Sequence, residues 1–236
     1  MAQLLADLES EKHWIGRRIE TTFTDEERSA ARFLALDYCW TSGYPEPSDI
    51  TVVPGLRCLP FEVTTYNLSD RCMFCGVGPR QKALFRMKGE PAWGRRSILK
   101  LNWVDDELFV RKDRWASVFR PLGVECEPVL HHRSGAPLET VVQLKLQQTA
   151  SLNLYGVPPA ACTACGRQKY SPVCRGPFPA VLSMGPPIAK TREYFGSEGT
   201  AFNEILVTAA LFERIELAGL KGAEFRPCAT AGDQTS

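Results

Sequence analysis

Two short stretches constrain this chain more than any other: Cys72-Met73-Phe74-Cys75-Gly76 and, far downstream, Cys162-Thr163-Ala164-Cys165-Gly166. Each is a C-x-x-C-G knuckle. Two thiolates three positions apart on a tight turn can grip one metal ion. The glycine that follows tolerates positive φ, so backbone N–H groups can fold back towards the sulfurs. Two knuckles together supply the four sulfurs of a closed tetrahedral zinc site, provided the fold joins them. The residues after each knuckle are also alike. Arg80-Gln81-Lys82 follows the first and Arg167-Gln168-Lys169 the second, with Val77-Gly78-Pro79 inserted only in the first. The shared order reads as two halves of one pseudo-symmetric module. Cys72, Cys75, Cys162 and Cys165 are therefore the expected ligands of one structural Zn2+.

Redox and disulfide roles are the competing readings. A thioredoxin-like C-x-x-C sits where a strand enters a helix. Here the first pair leads into Gly76-Val77-Gly78-Pro79, and the second follows Gly156-Val157-Pro158-Pro159, both loop sequences. Nine cysteines is an odd number, and Met1 to Glu9 is acidic and lacks the apolar core of an export signal. A reducing, cytoplasmic location is expected. The remaining cysteines (Cys39, Cys58, Cys126, Cys174, Cys228) read as small core residues, with Cys174 close enough in sequence to stand in as a ligand. Reduced or vestigial knuckles without metal remain an open alternative.

With 236 residues, of which 44% are hydrophobic and 23% charged, the chain can bury a real core as one large domain or two small ones. No apolar run approaches the roughly 20 residues that span a bilayer, so no membrane partner is expected. Charge is uneven. Residues 1–50 carry five Lys/Arg against ten Asp/Glu, and residues 71–114 carry eleven against five. Such asymmetry suits a nucleic-acid face or two mutually attractive parts of one protein.

Local patterns predict an α+β fold: an antiparallel sheet and hairpins around a zinc-ribbon-like double-CXXCG site, N-terminal helices, and a C-terminal strand–helix–strand unit. A short helix is expected over residues 2–20. Thr24-Asp25-Glu26-Glu27 is a capping box, and Ala30, Phe33, Leu34 and Tyr38 extend its helix on one face to about Tyr38. Trp40 to Ser48 is rich in turn formers and predicts a boundary, giving a helical segment at 1–48, an α+β domain at 49–228 and a disordered tail at 229–236. Pro60–Leu68 reads as a strand into the first knuckle and Lys82–Met87 as its return. Ser97–Val104 alternates and predicts a strand. Arg111–Phe119 predicts a helix, ended by Pro121 and Gly123. Thr140–Leu146 and Ser151–Tyr155 read as a hairpin delivering the second knuckle. Gly176–Pro187 is expected as loop. Glu204–Val207, a helix at Ala209–Ala218 capped by Thr208 and closed by Gly219, and a strand at Gly222–Arg226 complete the chain.

This layout resembles the double-CXXCG motif immunity proteins of myxobacterial-type toxin–immunity systems. Carrying the resemblance are Cys72, Cys75 and Gly76, the run Val141 to Leu146, Cys162, Cys165 and Gly166, and the tail from Ile205 to Phe225, roughly the last two thirds of the chain. The first seventy residues do not match the family's expected start. The resemblance implies a cytoplasmic, non-catalytic protein that binds and neutralises one cognate protein toxin.

The residues themselves supply little for an enzyme. H-E-x-x-H, G-x-S-x-G and Walker sequences are absent, and Gly76-Val77-Gly78-Pro79 lacks the third glycine of a dinucleotide loop. His131 and His132 are adjacent and would point to opposite faces of a strand. A zinc ion closed by four thiolates has no position for water and would be structural. The alternative to toxin binding is a zinc-ribbon nucleic-acid binder using the basic and aromatic stretch 80–103. Its contacts would come from Arg80, Lys82, Arg86 and Trp93, with Arg167 and Lys169 from the second half. The same six residues are the candidates for contact with a protein partner.

Overall fold

The computed structural model describes residues 21–48 and 59–230. Thr24 caps helix α1 (Asp25–Ala30) as expected, its hydroxyl accepting the Glu27 N–H while the Glu27 carboxylate accepts the Thr24 N–H. The helix ends at Ala30, not near Tyr38. Phe33–Cys39 is instead strand β1. Leu34 and Leu36 pack into one core and Ala35 into another, on opposite faces of the strand. Burial on both faces makes residues of either parity apolar, and the resulting run imitates helical spacing.

Downstream, helix α2 (Pro60–Thr65) runs into β2 (Tyr66–Asn67), where a single strand was expected. Pro60 opens the helix, where its missing N–H costs nothing, and Glu62 accepts the Leu59 N–H at 2.6 Å. The return strand is β3 (Arg80–Gln81), and β4 (Arg86–Met87) belongs to a different sheet. Then come β5 (Ile98–Leu99), shorter than expected, and β6 (Phe109–Arg111). The expected helix starts as α3 (Lys112–Arg114). It continues as a π turn over Trp115–Phe119 and a 3-10 turn over Arg120–Leu122, ended by Gly123 at φ 79°.

The second half contains β7 (Cys126–His131), β8 (Pro137–Leu144), β9 (Gln148–Leu152), β10 (Ala160–Ala161), β11 (Gln168–Lys169), β12 (Val181–Ser183) and β13 (Ile188–Thr191). Strand β12 lies inside the expected surface loop. The tail matches its expectation: β14 (Ile205–Thr208), α4 (Ala209–Leu217) and β15 (Ala223–Pro227). The Thr208 hydroxyl accepts the Leu211 N–H. The last turn of α4 closes with Gly219 N–H on Glu216 and Leu220 N–H on Ile215, a Schellman arrangement.

The chain is mixed α+β, mostly sheet with few helices. Six strands form one sheet in the order β12-β9-β13-β14-β1-β15, and five form another in the order β4-β7-β8-β6-β5. Pairing is antiparallel except for β9–β13 and β4–β7, which are parallel. Strands β8 and β9 therefore do not make the expected hairpin; they belong to different sheets. Because β1 pairs antiparallel with both β14 and β15, it fills the gap that the β14–α4–β15 crossover leaves. This overturns the expected division at residue 48, since the early segment supplies an inner strand of the C-terminal sheet. Nor is the Trp40–Ser48 stretch a boundary: Ser42 N–H bonds the Lys100 carbonyl and Glu46 N–H the Arg86 carbonyl. The helix expected over 2–20 lies outside the described residues, as do positions 231–236 of the expected disordered tail. Ala229, at the start of that tail, donates its N–H to the Phe178 carbonyl. Among the described residues no helix is long and apolar enough to cross a membrane.

The main core lies between the two sheets, where Leu34, Leu36, Val110, Val142, Leu144, Ile205 and Val207 meet Leu211 and Ile215 of α4. Phe61, Phe85, Leu99, Phe109 and Val141 fill the other face of the five-stranded sheet. Phe178, Phe195, Ala189 and Leu206 fill the other face of the six-stranded one. One polar chain crosses this apolar interior. Lys190 of β13 is ion-paired with Glu107, just before β6, and lies 3.5 Å from Asp106. Glu107 accepts from Gln143 of β8, and Gln143 exchanges two amide hydrogen bonds with Gln81 of β3, at 2.7 and 3.0 Å. Burial alone would lower the Lys190 pKa, but the Asp106 and Glu107 carboxylates outweigh it and hold the ammonium charged. Lys190→Met would leave the Glu107 carboxylate buried without its cation. Denaturant unfolding should show a loss of about 3–5 kcal/mol, most of it recovered in Lys190→Met/Glu107→Gln. A single variant as stable as the parent would refute this account.

Candidate metal centre

Each knuckle sits at the tip of a two-stranded ribbon, β2–β3 for the first and β10–β11 for the second. The two tips have the same backbone bonds. Cys72 N–H reaches the Val77 carbonyl at 2.9 Å and Gly76 N–H the Cys72 carbonyl at 2.8 Å. Cys162 N–H reaches Arg167 and Gly166 N–H reaches Cys162 at the same two distances. Gly76 and Gly166 stand at φ 79° and 72°, the left-handed conformation the motif needs. The pseudo-symmetry legible in sequence is thus a repeated turn geometry.

The fold brings the tips together. The sulfurs of Cys72, Cys75, Cys162 and Cys165 all lie within 4.8 Å of one another, close enough to hold one metal ion. Across the halves, Cys72 Sγ is 3.8 Å from Cys162 Sγ, and Cys75 Sγ is 3.7 Å from Cys165 Sγ. The N–H groups of Cys75 and Phe74 aim at the Cys72 sulfur and pull its pKa down to about 6. Those of Ala164 and Cys165 lower Cys162 in the same way. Burial pushes Cys75 up to about 12. Cys165 accepts the Arg167 N–H, which lowers its pKa, yet desolvation and the neighbouring Cys72 and Cys162 thiols leave it raised. One sulfur in each knuckle, Cys72 and Cys162, therefore gives up its proton more readily than the other. An arriving cation would displace the remaining thiol protons, those of Cys75 and Cys165 included.

The two halves differ in their surroundings. Cys75 is buried, Cys72 and Cys162 are half-buried, and Cys165 is exposed. A Cβ on Gly76 would lie 2.3 Å from the Gly199 carbonyl oxygen, whereas one on Gly166 would meet nothing within 4 Å. The first knuckle is packed against the 196–201 loop, and the second covers it from the solvent side.

The matching Arg-Gln-Lys residues follow the same division. Lys169 is buried, and its Nζ donates to the carbonyls of Cys75, Glu198 and Thr200 at 3.1, 2.6 and 2.9 Å. Arg167 Nη1 donates to the carbonyls of Asp70 and Val77 at 2.6 and 2.9 Å. Both second-half cations are thus clamped on the first knuckle. Their counterparts Arg80 and Lys82 are exposed. Of the other two proposed contact residues, Arg86 is half-buried with Nη1 3.4 Å from the His132 carbonyl. Trp93 is 8% exposed, packed in the core with Nε1 donating to Thr140 Oγ1. Burial removes Trp93 and Lys169 from any contact surface. Cys174 lies outside the cluster and is exposed, with Sγ 3.4 Å from the Pro172 carbonyl. Cys39 and Cys228 are buried core residues, and Cys58 lies outside the described residues.

The sequence reading missed the Gln81–Gln143–Glu107–Lys190 chain that anchors the first ribbon to both sheets. An acidic residue following Asp105-Asp106 and a glutamine in an otherwise apolar strand were its only visible signs.

No protein-family model matches the chain, and searches of curated proteins and of solved structures returned no match.

The clamp can be tested against its own pseudo-symmetric counterpart. Lys169→Met would strand three carbonyls and should lower stability by about 2–4 kcal/mol in denaturant unfolding. Lys82→Met should stay within about 0.5 kcal/mol of the parent. Equal effects at the two positions would mean that Lys169 and Lys82 hold the two halves alike, without a clamp.

Proposed function

We propose that the four cysteines hold a structural zinc ion and that the chain is a non-catalytic, cytoplasmic recognition protein that binds and neutralises a cognate toxin. The observation that carries the zinc assignment is the cross-half sulfur spacing of 3.7 and 3.8 Å. Four sulfurs arranged tetrahedrally about 2.3 Å from a zinc ion stand about 3.8 Å apart. Four thiolates favour zinc over the harder cations, and they complete its coordination. A filled shell leaves no place for an activated water, which supports a structural role. The thiolate set would carry two negative charges beyond those of the ion. The clamped Arg167 and Lys169 lie beside it as counter-charges.

Toxin neutralisation rests on the resemblance in layout: two CXXCG knuckles, an intervening apolar strand, and the strand–helix–strand tail. The nucleic-acid alternative is weakened by where its residues lie. Trp93 and Phe85 are core, and Lys169 is committed to carbonyls. Arg80 and Lys82 remain on the surface, and of the three aromatics in the stretch 80–103 (Phe85, Trp93 and Trp103) Trp103 alone is exposed to stack a base.

Protein purified without chelator should contain about one zinc per chain, and Cys72→Ser/Cys162→Ser should lose both the metal and much of the stability. Zinc-free wild-type protein, with a fold indifferent to the double variant, would sink the metal assignment. Where a toxin gene lies beside this one, co-expression of the two should restore growth. Failure to protect, together with DNA binding that weakens steeply with salt, would transfer the function to the nucleic-acid reading.

A further inference from the structure

Trp103 combines three properties that rarely occur together. It is one of two described non-glycine residues with positive φ, at 67°. It bears the largest side chain, and that side chain is 43% exposed. Residues with a Cβ avoid the left-handed region, which glycine or asparagine enters at little cost. Persisting strain of this kind is found where the surrounding structure imposes it, often at functional sites.

The surroundings here are built to impose it. Chain segments 41–44 and 100–103 run side by side, with Thr41 bridged to Lys100 in parallel and Ser42 N–H on the Lys100 carbonyl at 3.0 Å. Asn102 then holds the Gly43 carbonyl with both its backbone N–H and its side-chain amide, at 3.0 and 2.7 Å. These bonds place the Trp103 ring parallel to buried Phe61, with centroids 6.2 Å apart and planes within 16°. The Tyr44 ring, itself 46% exposed, lies against its side at 4.6 Å and 58°. An exposed aromatic pair is thus fixed on a core ring below. After buried Val104 come three carboxylates, Asp105-Asp106-Glu107. Lys190 is ion-paired with the second and third, while Asp105 makes no ion pair among the described residues; desolvation raises its carboxyl pKa, which the charge of Lys100 partly offsets.

We propose that Trp103, Tyr44 and Asp105 form a recognition surface for an arginine side chain of a protein partner. A guanidinium group is planar and weakly hydrated. It stacks on indole and phenol faces while its N–H groups reach a carboxylate. The partner is accordingly a basic protein surface presenting an arginine. This rests on the recognition reading above and names the surface that does the recognising.

The test uses the full chain, labelled with 15N, and the peptide Gly-Arg-Gly-Arg-Gly. Its control carries citrulline in place of arginine, which keeps the shape and removes the charge. The Trp103 indole N–H resonance, identified by its loss in Trp103→Phe, should shift saturably with the arginine peptide and not with the citrulline peptide. Asp105→Asn should weaken binding roughly fivefold to tenfold. Trp103→Asn suits the positive φ, so it should keep the wild-type core spectrum while losing peptide binding. An indole signal that ignores the arginine peptide, equal binding of the citrulline peptide, or collapse of the core spectrum in Trp103→Asn would each overturn the proposal. Co-expression separates it from the broader reading. Trp103→Asn that holds zinc but no longer protects supports the surface. Full protection by that variant overturns the surface and leaves toxin neutralisation standing.

Discussion

The structure depends on joining two ribbon tips that are ninety positions apart in sequence. Each ribbon has only two paired residues per strand, far too little to persist alone in water. What holds them is reciprocal. The four sulfurs converge between the tips, and the second ribbon reaches over to the first through the Arg167 guanidinium and the Lys169 ammonium. Five carbonyls of the first knuckle and its neighbouring loop accept from those two cations. A carbonyl left unpaired in such a place costs more than the hydrogen bond contributes, so the clamp specifies the docking geometry as well as stabilising it.

The polar chain of Gln81, Gln143, Glu107 and Lys190 does for the sheets what the clamp does for the tips. It starts on the first ribbon, crosses the central strand of the five-stranded sheet, and ends on the six-stranded sheet. Apolar packing between two sheets tolerates sliding, because the hydrophobic effect has no direction. A buried ion pair joined to an amide pair admits one register, since any other strands charge in a medium of low dielectric. The ribbon that carries the first knuckle is thereby tied to both sheets through one series of side-chain hydrogen bonds.

Pseudo-symmetry in the sequence does not carry through to equal roles. Gly76 is in contact with the 196–201 loop and Gly166 faces open space; Lys169 is buried and Lys82 is exposed. The likeness of the two motifs comes from the turn each must form to aim its N–H groups at sulfur, a requirement local to five or six residues. Their differences come from what lies beyond the turn. The same contrast explains why a stretch that looks basic and aromatic in sequence is partly structural: Phe85 and Trp93 fill the core, while Arg80, Lys82 and Trp103 reach solvent.

Short-range chemistry was legible from the residues alone. The two knuckles, the Thr24 capping box, the Thr208 cap and the Gly219 stop each depend on side chains within a few positions of the backbone groups they satisfy, so order along the chain sufficed. The strand–helix–strand tail was legible because its periodicity changes cleanly at those caps. The partner of each strand was decided only in three dimensions. Phe33–Cys39 has the composition of either a helix or a doubly buried strand, and the open slot between β14 and β15 selects the strand. Strands β8 and β9 are neighbours in sequence but separate into different sheets. The fates of Lys169 and Trp93 were likewise set by distant carbonyls and core rings. Pairing and burial are properties of contacts between remote segments, and no local pattern encodes which remote surface a segment will meet.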